Sequence, residues 1–361
     1  MKAIIVTVYN SENCGSFLQA FALQHYLKSL GLEVAFYKRL SKKTSHEFLP
    51  HLKDFAANLL RLKFRKAFRP MWRWWVFQYL ATPFRVVDKK NGFYNDADLV
   101  VLGSDTLWNF ESDYFLSKKD VYTGKNFKNK QVITYAVSAA NTTEELFHIA
   151  TQDNVLNQIR AFLVRDTHTK DLLIKEGITD VEIVCDPTLL VDKRAFSGLI
   201  KPTQRILKKY ILLYYFYSIP DDLQQSIIRF AKKHSLKIVS LNDYRDWCDY
   251  NILIDPRNLI TYYNSASFVV TNTFHGTAFS LIYSVPFAVY DVGLIKVREL
   301  LSTYCQQNRL IKDAASLDTV LNIPFSSETE KIVQHVRSSS SKLFNDSINN
   351  CLNLSNSAII S

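Results

Sequence analysis

The six residues Thr271 to Gly276 read TNTFHG, and their histidine is the first candidate for chemistry in this 361-residue chain. The apolar run Phe268-Val269-Val270 precedes them, and TAFSLIYS follows. His275 therefore stands between a predicted strand and a helix expected to open at Gly276. In that place it can be a core residue, a metal ligand or a group that acts on a substrate. A metal role lacks support, because no second histidine or carboxylate lies three or four residues on. A helix start offers backbone N–H groups and the positive end of the dipole. His275, with Gly276 beside it, is thus expected to donate to an anion or to act as an acid.

Three other positions carry chemistry of a compatible kind. Arg165 ends the run AFLV and precedes Asp166. It reads either as half of a local ion pair with that aspartate or as a clamp, since a guanidinium forks onto carboxylate or phosphate. Lys296 follows YDVGLI at the start of another predicted helix. Asp105, in GSDTLWN, reads as a base or as a loop-stabilising carboxylate. Asp105, Asp166 and Asp186 stand singly on different loops, so no metal spacing is announced and no metal is expected. GSDTLWN lacks the Lys-Ser/Thr end of a phosphate-binding loop, and no GxGxxG follows the first strand, which leaves ATP and NAD unsupported.

These residues need elements to hold them. With 47% hydrophobic residues the chain can bury two cores of ordinary size. Strand and helix signals alternate, restarting near residue 195. In the first half, KAIIV, EVAFY, ADLVVL, QVIT, AFLV and VEIV read as strands, with FLQAFALQHYLKSL and TKDLLIKEG as helices. In the second, KYILLYYFY, LKIVSLN, ASFVVTNT and PFAVYDV read as strands, with PDDLQQSIIRFAKKH as a helix opened by Pro220 and acids. The expectation is α/β, with mostly parallel sheets in a domain of residues 1–194 and another of 195–361 whose C-terminal helix packs back on the first. Ligands in such sheets bind at the carboxyl ends of strands. YNSENCGS, GSDTLWN, VSAAN, VRD, CDP and TNTFHG all fall there.

The five cysteines form no CxxC pair, so neither a disulfide framework nor a structural zinc is expected. The N-terminus reads as a first strand rather than a signal peptide, and no run of about 20 apolar residues occurs. A cytoplasmic location is expected. The net charge of +10 fits nucleic acid, an anionic membrane or an anionic small substrate. No nucleic-acid motif accompanies it. Within segment 52–80, on the first domain, Arg61, Lys63, Arg65, Lys66, Arg69 and Arg73 interleave with Leu, Phe and Trp. That suits either an interfacial helix on the inner face of the plasma membrane or a helix packed on its own domain.

Taken in order, NSENCGSFLQAFAL, LGSDTLWN, YAVSAA, FLVRD with LLIKEGI and VCDPTLLVD, and TNTFHGTAFSLIYSVPF resemble the polysaccharide pyruvyl transferases over most of residues 9 to 296. The resemblance implies two Rossmann-like domains facing across a cleft, as in GT-B glycosyltransferases. It implies transfer of a pyruvyl group from phosphoenolpyruvate, without a cofactor, onto two hydroxyls of a sugar in a surface glycan or its lipid-linked precursor. Donor-binding residues map to Arg165, His275 with Gly276, and Lys296. His275 would be the acid and Asp105 the base. Asn13, Ser16, Ser104 and Trp108 are candidates on the acceptor side. Thr106 and Leu107 depart from the Gln and Val common in the family. Two rivals stand beside this reading: a nucleotide-sugar glycosyltransferase of the same architecture, and a glycan-binding relative without catalysis.

Overall fold

The computed structural model describes residues 1–10, 13–38, 84–200 and 209–352, together with Phe55, Phe68 and Trp72. The chain divides into two compact units, one of Met1–Glu47, Phe77–Val191 and Val336–Ser361, the other of Phe48–Val76 and Asp192–His335. The main boundary falls at Val191/Asp192. Segment 52–80 was expected on the first domain. Its three described residues, Phe55, Phe68 and Trp72, belong instead to the second unit, and the remainder of the segment lies outside the described residues.

The first unit is built on a seven-stranded sheet of β1 (Lys2–Val6), β2 (Glu33–Tyr37), β3 (Val86–Val87), β4 (Leu99–Leu102), β5 (Gln131–Thr134), β6 (Ile159–Val164) and β7 (Val181–Ile183). Its order is β3-β2-β1-β4-β5-β6-β7, and every pairing is parallel. The central strands are apolar on both faces, because helices cover both, and β4 (LVVL) is wholly buried. The order reverses between β1 and β4. In open parallel sheets that switch point, at the carboxyl edge, is where ligands bind.

The second unit repeats the plan with β8 (Tyr210–Tyr214), β9 (Lys237–Leu241), β10 (Tyr250–Ile252), β11 (Phe268–Thr271), β12 (Phe287–Tyr290) and β13 (Leu310–Ile311). The order β10-β9-β8-β11-β12-β13 is again all parallel, with its switch point between β8 and β11. The short strands β3, β10 and β13 were not predicted. Two or three residues are too few to show a period.

The final helix, Ser327–Cys351, contributes to both units. Its later residues pack within the first: the Ser340 hydroxyl accepts from the Cys185 amide at 2.9 Å, and Arg337 donates to the Leu189 carbonyl at 2.9 Å. Phe344 lies with its ring 4.1 Å from that of Tyr135 and 5.6 Å from that of Tyr26.

Candidate functional site

The TNTFHG segment is assembled around three side chains. Thr271 closes β11 and donates its hydroxyl to the Tyr214 carbonyl of β8 at 2.6 Å. Asn272 spans the same two strands: its Oδ1 accepts from the Phe216 amide at 2.9 Å and its Nδ2 donates to the Phe216 carbonyl at 2.8 Å. Thr273 is the N-cap of the helix Phe274–Ile282, its hydroxyl accepting from the Gly276 amide at 2.9 Å. The helix therefore starts two residues earlier than the sequence reading placed it, and His275 stands in its first turn. All nine helix residues are buried, and the hydroxyls of Thr277 and Ser280 are satisfied by the Thr273 and Gly276 carbonyls. His275 is 9% exposed, at the switch point of the second sheet.

Gly276 differs from its expected role. Its amide is committed to the Thr273 cap, so it is not a donor to a bound anion. What requires glycine is space: a Cβ there would lie 2.0 Å from Thr271 Oγ1 and 2.6 Å from Thr273 Oγ1. Lys296 is the second residue of the helix Ile295–Thr303 and half-buried. A cation in the first turn opposes the helix dipole.

In the first unit the switch point is knit by polar side chains. Asn13 caps the helix α1 (Cys14–Ser29), its Oδ1 accepting from the Gly15 amide at 2.9 Å. Ser16, in the first turn of α1, donates at 2.7 Å to Oδ2 of Asp105 beyond β4. Asp105 Oδ1 accepts from the Thr106 amide at 2.8 Å. The backbone at Asp105 is left-handed, with φ of 80°, a conformation that aspartate tolerates better than most residues. Gln19 donates to the Thr7 hydroxyl and to the Val8 and Ser16 carbonyls, and accepts from Ser104 at 2.9 Å. Gly103 approaches so closely that a Cβ would meet the Tyr135 carbonyl at 2.2 Å.

Asn13, Ser16 and Asp105 thus converge on one edge, whereas two acceptor candidates do not face solvent. Ser104 is fully buried in the Gln19 network. Trp108 is fully buried in the core, its indole N–H donating to the Tyr122 carbonyl at 2.9 Å. An indole needs an internal acceptor when buried, and the satisfied donor makes Trp108 a packing residue rather than an acceptor contact.

Arg165 follows β6. Its guanidinium donates to Oδ2 of Asp186 at 3.2 Å, with side chains 4% and 0% exposed. The adjacent Asp166, the partner considered from sequence, instead caps the helix Thr167–Lys175, accepting from the Thr169 amide and hydroxyl. Asp186 was missed as the partner. Its CDPT context signals only an N-cap, since an aspartate before proline and threonine is such a signature, and says nothing of a pairing 21 residues away. Asp186 also accepts from the amide and hydroxyl of Thr188.

Among the described residues no three His, Cys, Asp or Glu side chains cluster as a metal site would need. No described helix is long and apolar enough to cross a membrane. Phe68 and Trp72 line a cavity of about 650 Å³ with Tyr244, Asp246, Asp249 and Tyr250 of the second unit.

The model of the family described as polysaccharide pyruvyl transferase matches residues 13–293, most of the chain. The chain belongs to the polysaccharide pyruvyl transferase family. Membership supports a transferase with a glycan acceptor in polysaccharide biosynthesis. All of the residues assigned above from Asn13 to Gly276 lie inside the matched span, and Lys296 lies three residues beyond it.

A search of curated proteins finds no match. Solved structures share the fold at low identity. A Listeria monocytogenes protein assigned as a UDP-N-acetylglucosamine 2-epimerase superposes with a TM-score of 0.57 at 9% identity, covering 98% of this chain and 97% of that one. The Neisseria meningitidis UDP-GlcNAc 2-epimerase bound to UDP-GlcNAc gives 0.55 at 11%, covering 97% and 100%. S. aureus MnaA with UDP gives 0.53 at 11%, covering 98% of each. This pyruvyl transferase family member therefore has the two-sheet α/β fold of GT-B type.

Proposed function

We propose that this chain transfers the pyruvyl group of phosphoenolpyruvate onto two hydroxyls of a sugar in a bacterial surface polysaccharide or its lipid-linked precursor, forming a cyclic ketal. The observation that carries the reading is His275 in the first turn of a buried helix at a sheet switch point, within a span that matches this family. Phosphoenolpyruvate brings a carboxylate and a phosphate, so its site needs cations and N–H donors. Arg165 serves the carboxylate, with Asp186 fixing its guanidinium. Lys296 and the first turn of the helix Phe274–Ile282 serve the phosphate.

In the reaction His275 delivers a proton to the methylene carbon, which becomes the methyl group, and C2 takes up positive charge. One sugar hydroxyl bonds to C2. The C2–O bond to phosphate breaks, and a second hydroxyl closes the ring. The two hydroxyl protons balance the one spent on the methyl group and the one that leaves with phosphate. Asp105, held by Ser16 and Thr106, is the proposed base. No cofactor enters this scheme. The enzyme would work in the cytoplasm, at the inner face of the membrane that carries lipid-linked acceptors.

The test is incubation with phosphoenolpyruvate and a panel of galactosides, mannosides and N-acetylmannosamine glycans. A product heavier by pyruvate less one water, with phosphate released in step, is the expected result. A second reading, a glycosyltransferase using a nucleotide sugar, is favoured by the UDP-bound proteins that share the fold. Consumption of a UDP-sugar with no pyruvyl product would select it.

A further inference from the structure

Beyond β8 the chain runs Tyr215-Phe216-Tyr217-Ser218, at the same switch point as TNTFHG. Tyr217 is out of place by ordinary rules. Its side chain is 83% exposed, and its φ of 72° lies in the left-handed region that a bulky residue avoids. Burial of the ring does not compensate for that conformation.

The backbone around it is nevertheless fastened from two directions. Asn272 closes a pair of hydrogen bonds on Phe216, one residue before. Arg245, itself buried, donates to the carbonyls of Tyr215 and Tyr217, each at 3.0 Å. Arg245 is held in turn by Asn251, which accepts from its amide at 2.7 Å and donates to its carbonyl at 3.0 Å. A buried guanidinium is costly, and here two of its bonds go to the carbonyls flanking an exposed tyrosine loop. Strained residues that their surroundings over-determine cluster at functional sites.

We propose that Tyr217 is a stacking platform for the acceptor sugar. The inference rests on the pyruvyl transfer reading and names the residue that recognises its second substrate. Phosphoenolpyruvate is small and highly anionic, and cations recognise it. A pyranose instead presents a face of C–H groups, which an exposed aromatic ring covers well, while the phenol hydroxyl serves a sugar hydroxyl. The left-handed backbone turns the ring outward, and Asn272 ties its loop to the segment carrying His275.

The test uses the full chain with Tyr217→Ala, Tyr217→Phe and Tyr217→Gly. Saturation-transfer NMR reads binding of methyl galactoside, methyl mannoside, N-acetylmannosamine and, separately, UDP. The parent is expected to show transfer to at least one sugar, Tyr217→Phe to keep most of it, and Tyr217→Ala and Tyr217→Gly to lose it. Glycine accepts the left-handed backbone, so Tyr217→Gly should melt at or above the parent temperature, and its loss of binding is then no folding defect. In turnover assays Tyr217→Ala should raise the acceptor KM about tenfold, the scale of one stacking contact, and leave the phosphoenolpyruvate KM alone. Undiminished sugar signals in Tyr217→Ala, no sugar signal in the parent, or loss of the UDP signal instead would overturn the platform. Sugar binding that depends on Tyr217 without any pyruvyl product would overturn the reaction and leave the platform standing.

Discussion

Gly276→Ala is expected to destabilise the second unit although alanine is the better helix former. In an open helix interior the exchange gains about 1 kcal/mol. Here the added Cβ meets Thr271 Oγ1 at 2.0 Å and Thr273 Oγ1 at 2.6 Å. Neither hydroxyl can swing away without loss, since one is bonded to the Tyr214 carbonyl and the other caps the helix. Overpacking costs about 1–3 kcal/mol, and loss of a threonine cap about 1 kcal/mol. Set against the propensity gain, the net is a loss of roughly 1–3 kcal/mol. Urea unfolding followed by circular dichroism measures it. Combining Gly276→Ala with Thr271→Ala, which removes the nearest clashing atom, should cost less than the sum of the single changes by about 1 kcal/mol. A Gly276→Ala protein as stable as the parent, or additive single changes, would refute the close-approach argument.

Asp186→Ala should cost about 3–5 kcal/mol, because it removes the carboxylate paired with the buried Arg165 guanidinium, whereas Lys331→Gln, in an exposed pair with Glu328, should change stability by less than about 0.5 kcal/mol; chemical denaturation of both variants compares them. Burial pushes the thiol of Cys185 up to about 11 and that of Cys248 up to about 12. At neutral pH both should stay protonated and resist an aromatic disulfide reagent that labels the exposed Cys305, and equal labelling rates would contradict this. EDTA should leave pyruvyl transfer unchanged, and complete loss restored by a divalent cation would overturn the metal-free scheme. If segment 52–80 binds anionic membranes, Arg65, Lys66 and Arg69 changed together to Glu should weaken pelleting with anionic vesicles in a salt-dependent way.

The alternation of long apolar strands and amphipathic helices made both sheets legible, because buried parallel strands such as LVVL and YILLY carry an unbroken signal. The carboxyl-end loops followed from that order. Their internal bonding did not. Thr273 was readable as a cap, but the competing start at Gly276 drew attention because glycine so often punctuates helices; its actual constraint, the approach of Thr271, is tertiary. Arg165 read either as half of a pair with Asp166 or as an anion clamp, yet its ion-pair partner stands 21 residues on and no local pattern announces it. Trp108 stood among the acceptor candidates through the resemblance, and its complete burial and its bond to the Tyr122 carbonyl show it to be core. Tyr217 carried no signal at all, since exposure and a left-handed φ are properties of the folded loop.

His275 is the proposed acid, and everything else in the scheme depends on it. His275→Gln keeps the approximate volume and hydrogen-bonding character of the side chain in a buried turn while removing the imidazole that would carry the proton. The decisive measurement is turnover per folded molecule, with folded fraction taken from the melting curve of the same sample. If His275 is the acid, the melting temperature stays within a few degrees of the parent, phosphoenolpyruvate binding is retained, and turnover falls by about 10²-fold or more. A protein that melts far earlier while its folded fraction turns over normally would show TNTFHG to be a structural turn and His275 to have no part in the chemistry.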